Sequence, residues 1–153
     1  MSLLATLLPA SHVLLDVEAD DKRHLLDQAA VLLAEQTGIE RGRILDSLLA
    51  RERLGSTGLG QGIAIPHGRI RGLGTPVGAL LRTRAAVAFD APDGAPVRLM
   101  FVLLVPEKST ELHLQILSEL AQMLSDRAVR AELGAAPDAA AAQRLIAGWQ
   151  PSP

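Results

Sequence analysis

A chain of 153 residues with 48% apolar side chains is long enough for one buried core and short for two, so a single domain over residues 1–153 is expected. A formal charge of −2 and a pI near 6.1, with no Tyr, two Phe and one Trp, leave neither a basic field nor stacking platforms for nucleic acid. The absence of cysteine removes disulfides, thiol catalysis and thiolate metal sites, and the longest apolar run, residues 99–106, is far too short to cross a bilayer.

The N-terminus Met1-Ser2-Leu3-Leu4-Ala5 lacks a basic n-region, so a cytoplasmic protein without membrane insertion is expected. Residues 12–17 form a β-branched and leucine run that predicts a first strand. Over residues 20–36, Leu25, Leu26, Ala29, Leu32 and Leu33 recur at helical spacing, with Asp20 or Asp21 as cap and Gly38 as stop. A second helix over residues 40–54 carries Ile44, Leu45, Leu48 and Leu49 on one face and ends at Gly55. Strands are predicted at residues 63–65, 77–82 and 97–105, the last apolar enough to be buried on both faces. Pro92-Asp93-Gly94 marks a turn between the latter two, which also accounts for Asp90 and Asp93 as turn residues. Ser109 or Thr110 caps a helix through Leu124, and shorter helices follow over residues 126–133 and 138–148. Helices on both sides of a run of strands indicate an α/β sandwich with a mixed sheet.

Between the second helix and the next strand lies Gly55-Ser56-Thr57-Gly58-Leu59-Gly60-Gln61-Gly62, followed by Ile63-Ala64-Ile65-Pro66-His67-Gly68. The first part reads as a mobile loop rich in close-approaching amides. It lacks the Gly-Lys-Ser/Thr of a Walker A loop, and a helix precedes it where a dinucleotide fingerprint needs a strand. It serves either as a turn or as an anion nest, in which Ser56, Thr57, Gly58 and Gly68 would bind phosphate. His67 stands at the exit of a predicted strand, where a rigid scaffold presents reactive groups, and neutral imidazole is a nucleophile able to take a phosphoryl group.

On the helix after Thr110 the expected buried stripe is Leu112, Ile116, Leu117, Leu120, Ala121 and Leu124, and His113 falls within it. It is either a hydrogen-bonded core histidine or a group beside an anion bound at the helix start. Arg51 lies one turn from the glycine loop, either as a solvated helix-end charge or as a clamp on phosphoryl oxygens. Glu52 lies closer to the apolar stripe than a charge should, orienting a site group or fraying outward. Four histidines without close pairs give no metal-ligand pattern, and His24 points to solvent.

Taken together, Arg51-Glu52-Arg53-Leu54-Gly55-Ser56-Thr57-Gly58, Gly60-Gln61-Gly62 and Ile63-Ala64-Ile65-Pro66-His67-Gly68 resemble the signature of the IIA components of the bacterial phosphoenolpyruvate:sugar phosphotransferase system, fructose/mannitol class. The wording is most similar to the nitrogen-regulatory branch. Phe89-Asp90-Ala91 with Asp93, Leu103-Leu104-Val105-Pro106, and His113-Leu114 with Leu117 extend the resemblance over about residues 10–147. It implies a three-layer sandwich and a phosphohistidine at His67, with His113 as second active-site histidine and Arg51 stabilising phosphate. It also implies an HPr-like donor of the nitrogen type, no cofactor, nucleotide or metal, and regulated partner proteins that the residues do not identify. Delivery of phosphate to a fructose- or mannitol-type IIB is the alternative.

Overall fold

The computed structural model describes residues 3–150. Two short 3₁₀ turns (Leu3–Thr6 and Ala10–His12) lead into β1 (Val13–Val17), followed by helices α1 (Lys22–Thr37) and α2 (Arg41–Arg53). Five strands come next: β2 (Gly58–Gly60), β3 (Ile63–Ala64), β4 (His67–Ile70), β5 (Val77–Val87) and β6 (Val97–Pro106). The chain closes with α3 (Glu111–Leu124), α4 (Arg127–Ala135) and α5 (Ala139–Gly148). No helix among the described residues is long and apolar enough to cross a membrane.

Capping explains where the helices start and stop. Asp21 accepts the His24 amide at 2.8 Å at the head of α1, and Gly38, at φ 78°, ends it in the left-handed conformation. Asp126 and Asp138 cap α4 and α5 in the same way, with Ala128 and Ala141 as donors. Thr110 occupies the predicted cap position of α3, but its side chain caps nothing.

The sheet runs in the order β1-β5-β6-β3-β2, with β4 also on β6. β5 and β6 are antiparallel, while β1 on β5 and both β3 and β4 on β6 are parallel, so the sheet is mixed as expected. Alternation on β6 divides the core. Met100, Val102 and Leu104 pack with α1 and α2, whereas Leu99, Phe101, Leu103 and Val105 face the layer that contains α3 and α5. The result is the three-layer sandwich.

Several boundaries differ from the sequence reading. His12 lies in a 3₁₀ turn rather than the first strand, and its buried Nδ1 sits 2.9 Å from the Gly78 carbonyl. The glycine loop is not irregular throughout, because Gly58–Gly60 pairs antiparallel with β3 to make a short hairpin. His67 does not end a strand but begins one. β3 and β4 lie end to end along the same edge of β6, Ile63 opposite Leu99 and His67 opposite Leu103, and the break between them falls at Ile65-Pro66. Pro66 has no N–H to give the ladder, yet its carbonyl still accepts from the Leu103 amide at 2.9 Å.

Candidate functional site

Because side chains alternate along β4, Gly68 and Ile70 face α2 while His67 and Arg69 face the α3 side. Gly68 permits the close approach of β4 to α2: a Cβ built there would clash with Ser47 Oγ. Ile70 joins the core beneath α1 and α2. On the opposite side, Arg69 Nη1 donates to the Glu107 and Ser109 carbonyls at 3.1 and 2.7 Å, tying β4 to the approach to α3. That approach sets His113 in the first turn of α3, and its ring meets His67 edge to face, centroids 5.3 Å apart at 66°.

The two imidazoles differ in their bonding. His67 Nδ1 lies 2.9 Å from the Ile65 carbonyl. A carbonyl oxygen only accepts, so Nδ1 must carry the proton and Nε2 holds the free lone pair. His113 is 7% exposed, and neither of its ring nitrogens has a hydrogen-bond partner. A buried ring in that state is an unmet donor and acceptor next to a nucleophile. Both titrate below the usual histidine range. Burial is the main cause at His67; the Arg51 and Arg69 guanidiniums act in the same direction, while the Ile65 carbonyl and the Glu52 carboxylate oppose it. At His113 burial again leads, followed by the charges of His67 and Arg69.

Arg51, in the last turn of α2, is half-buried and donates through Nη1 to the Gly55 carbonyl at 2.8 Å, close enough for its charge to act on His67. Glu52 turns inward rather than fraying. Its side chain is 4% exposed, pairs with Lys22 Nζ at 2.7 Å, and accepts the Thr57 amide on both oxygens at 3.2 Å, with Thr57 Oγ1 donating to Oε1 as well. Lys22 also sits 4.6 Å over the Phe89 ring. Ser56 Oγ donates to the Phe89 carbonyl at 2.7 Å and accepts the Gly58 amide at 3.0 Å. Of the four residues expected to bind phosphate, Thr57 and Gly58 thus direct their amides, and Ser56 its hydroxyl, to partners inside the protein. The fourth, Gly68, is a strand glycine packed on Ser47.

Two features escaped the sequence reading. Arg69 would have been found from its place two residues after His67, had β4 been recognised. The stripe on α3 is also rotated: His113, Ile116, Leu120, Met123 and Leu124 are buried, whereas Leu112 and Leu114, on either side of His113, are 37% and 67% exposed. With Leu54 at 84%, they place three exposed leucines on the segments that carry His113 and Arg51.

The arrangement can therefore attack an electrophile through His67 Nε2 and offer Arg51, Arg69 and a neutral His113 to the negative charge it brings. Among the described residues no cluster of His, Asp or Glu could hold a metal ion.

Residues 6–148 match the family model described as the phosphoenolpyruvate-dependent sugar phosphotransferase system, EIIA 2. A nitrogen regulatory protein of Pseudomonas aeruginosa is 45% identical over 148 residues, 96% of each chain. The fructose-specific EIIA component of a phosphotransferase system in Haloferax volcanii is 40% identical over 108 residues, 71% of this chain and 70% of that one. The crystal structure of nitrogen regulatory protein IIA-Ntr from Neisseria meningitidis superimposes with a TM-score of 0.91 at 46% identity, covering 95% of this chain and 99% of that one. The chain belongs to the EIIA 2 family of the phosphoenolpyruvate-dependent sugar phosphotransferase system, as one of its phosphoryl-carrier components.

Proposed function

We propose that His67 carries the phosphoryl group, received from a phosphohistidine on an HPr-like carrier of the nitrogen type in the cytoplasm, and that its phosphorylation state regulates partner proteins. The observation that carries this reading is the bond from His67 Nδ1 to the Ile65 carbonyl, with the unpartnered His113 ring beside it. Nε2 attacks phosphorus as the bond from phosphorus to the donor nitrogen breaks, and the donor imidazole departs. Each ring keeps its own N–H, so no base is needed and the work is positioning and charge stabilisation.

The residues divide that work. Burial, Arg51 and Arg69 keep His67 neutral before attack. Ile65 and Glu52, which favour the charged ring, stabilise it once phosphorus is attached. Arg51 and His113 meet the phosphoryl oxygens. Ser56, Thr57 and Gly58 shape the site through their internal bonds. The exposed Leu54, Leu112 and Leu114 suit a protein donor and acceptor better than a small molecule.

Incubation with phosphoenolpyruvate, enzyme I and an HPr-type carrier is expected to give an acid-labile, base-stable adduct on Nε2 that His67→Ala lacks. Equal labelling of the variant would overturn the assignment, and a phosphorus NMR signature of an Nδ1 adduct would overturn the tautomer argument. A pull-down comparing wild type with His67→Ala and His67→Asp identifies the regulated partner. The fructose-specific relative supports a second reading, in which phosphate passes to a fructose-type IIB. Transfer from the phosphorylated chain to such a IIB would establish it.

A further inference from the structure

Away from His67, two abutting cavities of about 610 and 350 Å³ share Gln61 and Arg130 and open along the tip of the β2–β3 hairpin. Ser125 and Arg127 line the larger, at the junction of α3 and α4; Arg82 and Arg98 line the smaller, where β5 and β6 pass beneath α4. Four arginines, Arg82, Arg98, Arg127 and Arg130, thus line a cleft whose lining includes no Asp or Glu, in a chain whose net charge is −2.

Two of these side chains are set in advance. Arg82, 7% exposed, donates through Nη1 to the Leu133 and Ala136 carbonyls at 3.0 and 2.8 Å, and its Nη2 lies 3.4 Å from Asp16. Arg130 Nη1 donates to the Leu124 carbonyl at 2.9 Å. Closing the end of α4 accounts for Nη1 of Arg82. It does not account for the side chains of Arg98 and Arg127, which are exposed and have no hydrogen-bond or ion-pair partner among the described residues. Asp93 meets the hairpin tip, but its oxygens take the Gln61 and Ala95 amides at 2.9 and 3.0 Å.

We propose that this arginine-lined cleft binds a small organic anion bearing two or more carboxylate or phosphate groups. Arg82 is committed to the protein, and the free donors of Arg98, Arg127 and Arg130, the last held by a helix carbonyl, match the geometry of both groups. No aromatic side chain lines either cavity, which disfavours a nucleobase. The site is separate from the phosphoryl-carrier site: Ile63 pairs with Leu99 and His67 with Leu103, four residues and roughly 13 Å further along β6.

The test is an NMR titration of the full chain with citrate, fructose 1,6-bisphosphate and inorganic phosphate. Amide shifts are expected at Gln61, Gly62, Arg98 and Gly134, with one of the two multivalent anions binding at least about tenfold more tightly than phosphate. Tighter citrate assigns carboxylate chemistry to the cleft, and tighter bisphosphate assigns phosphate. Arg98→Gln and Arg127→Gln, at unpaired side chains, should each weaken binding about tenfold while carrier-dependent phosphorylation of His67 stays at the wild-type rate. Shifts confined to the surroundings of His67 and His113, undiminished affinity in Arg98→Gln, or no saturable binding would overturn the proposal. So would binding of a polyglutamate peptide in place of both small anions, which would give the surface to an acidic protein segment.

Discussion

On one side of His67, the segment after α2 turns several donors inward: Thr57 gives its amide and hydroxyl to Glu52, Gly58 gives its amide to Ser56, and Gly55 gives its amide to the Glu52 carbonyl. On the other, the first turn of α3 is left open, with no side-chain cap from Thr110 and no partner on either nitrogen of His113. Both segments approach the same imidazole. The glycine-rich one, which the sequence offers as a turn or an anion nest, ties these donors into an internal network, and the leucine-rich helix start holds the unmet ring nitrogens. Removing a group from the closed network should therefore cost stability, and removing one from the open turn should cost rate.

Glu52→Ala gives the largest stability effect. It leaves Lys22 with only the exposed Asp90 carboxylate, 3.9 Å away, and releases both Thr57 donors inside a nearly dry environment. Breaking a buried pair costs about 3 kcal/mol when one partner keeps some exposure, as Lys22 does. Chemical denaturation measures it, and a loss below half that value would mean that the network is not what holds the loop.

His113→Leu should do the reverse. Phosphoryl transfer is expected to fall on the order of a hundredfold if the ring donates to a phosphoryl oxygen. The fold should be as stable as wild type or more so, because an apolar side chain replaces a buried group with unmet hydrogen bonds. A variant that loses stability and keeps its rate would make His113 a packing residue.

Acidification probes the two rings together. In the unfolded chain each histidine takes up its proton near pH 6.5, whereas in the folded chain burial, assisted by Arg69 and by Arg51 or the neighbouring ring, holds both lower. Between those values the unfolded state binds more protons. Stability is therefore complete above about pH 6.5 and declines as the pH falls through that window. Urea midpoints for wild type and His113→Leu should diverge at pH 5 and run closer at pH 7.5, with the variant losing less on acidification.

The sandwich was legible because its signals are local: Asp21, Asp126 and Asp138 ahead of helical stripes, Gly38 after one, and an unbroken apolar run at β6. What stayed hidden depends on pairing at a distance. β2 and β4 have three and four residues, too few for alternation to register, and β4 exists because it pairs with β6 more than thirty residues further on. Arg69 was lost with β4. The Lys22–Glu52 pair joins helices whose contact no periodicity announces. The strand predicted over residues 63–65 does stop before Pro66, but the chain resumes on the same edge of β6 after it, which turned a strand exit into a strand start.

Ser56→Ala is the mildest change and the most direct test of what the glycine loop is for. The hydroxyl bridges the Phe89 carbonyl and the Gly58 amide, so its removal should cost about 1 kcal/mol, the net worth of an ordinary hydrogen bond. Neither bond needs a bound anion. If the loop acts by holding its shape, transfer to His67 should stay within about twofold of wild type once the stability loss is allowed for, since that loss is small beside the total. A tenfold fall in rate with the same small loss of stability would mean that Ser56 turns its oxygen to the phosphoryl group during transfer. The closed network would then be one that opens, and the contrast between the two sides of His67 would describe the resting protein alone.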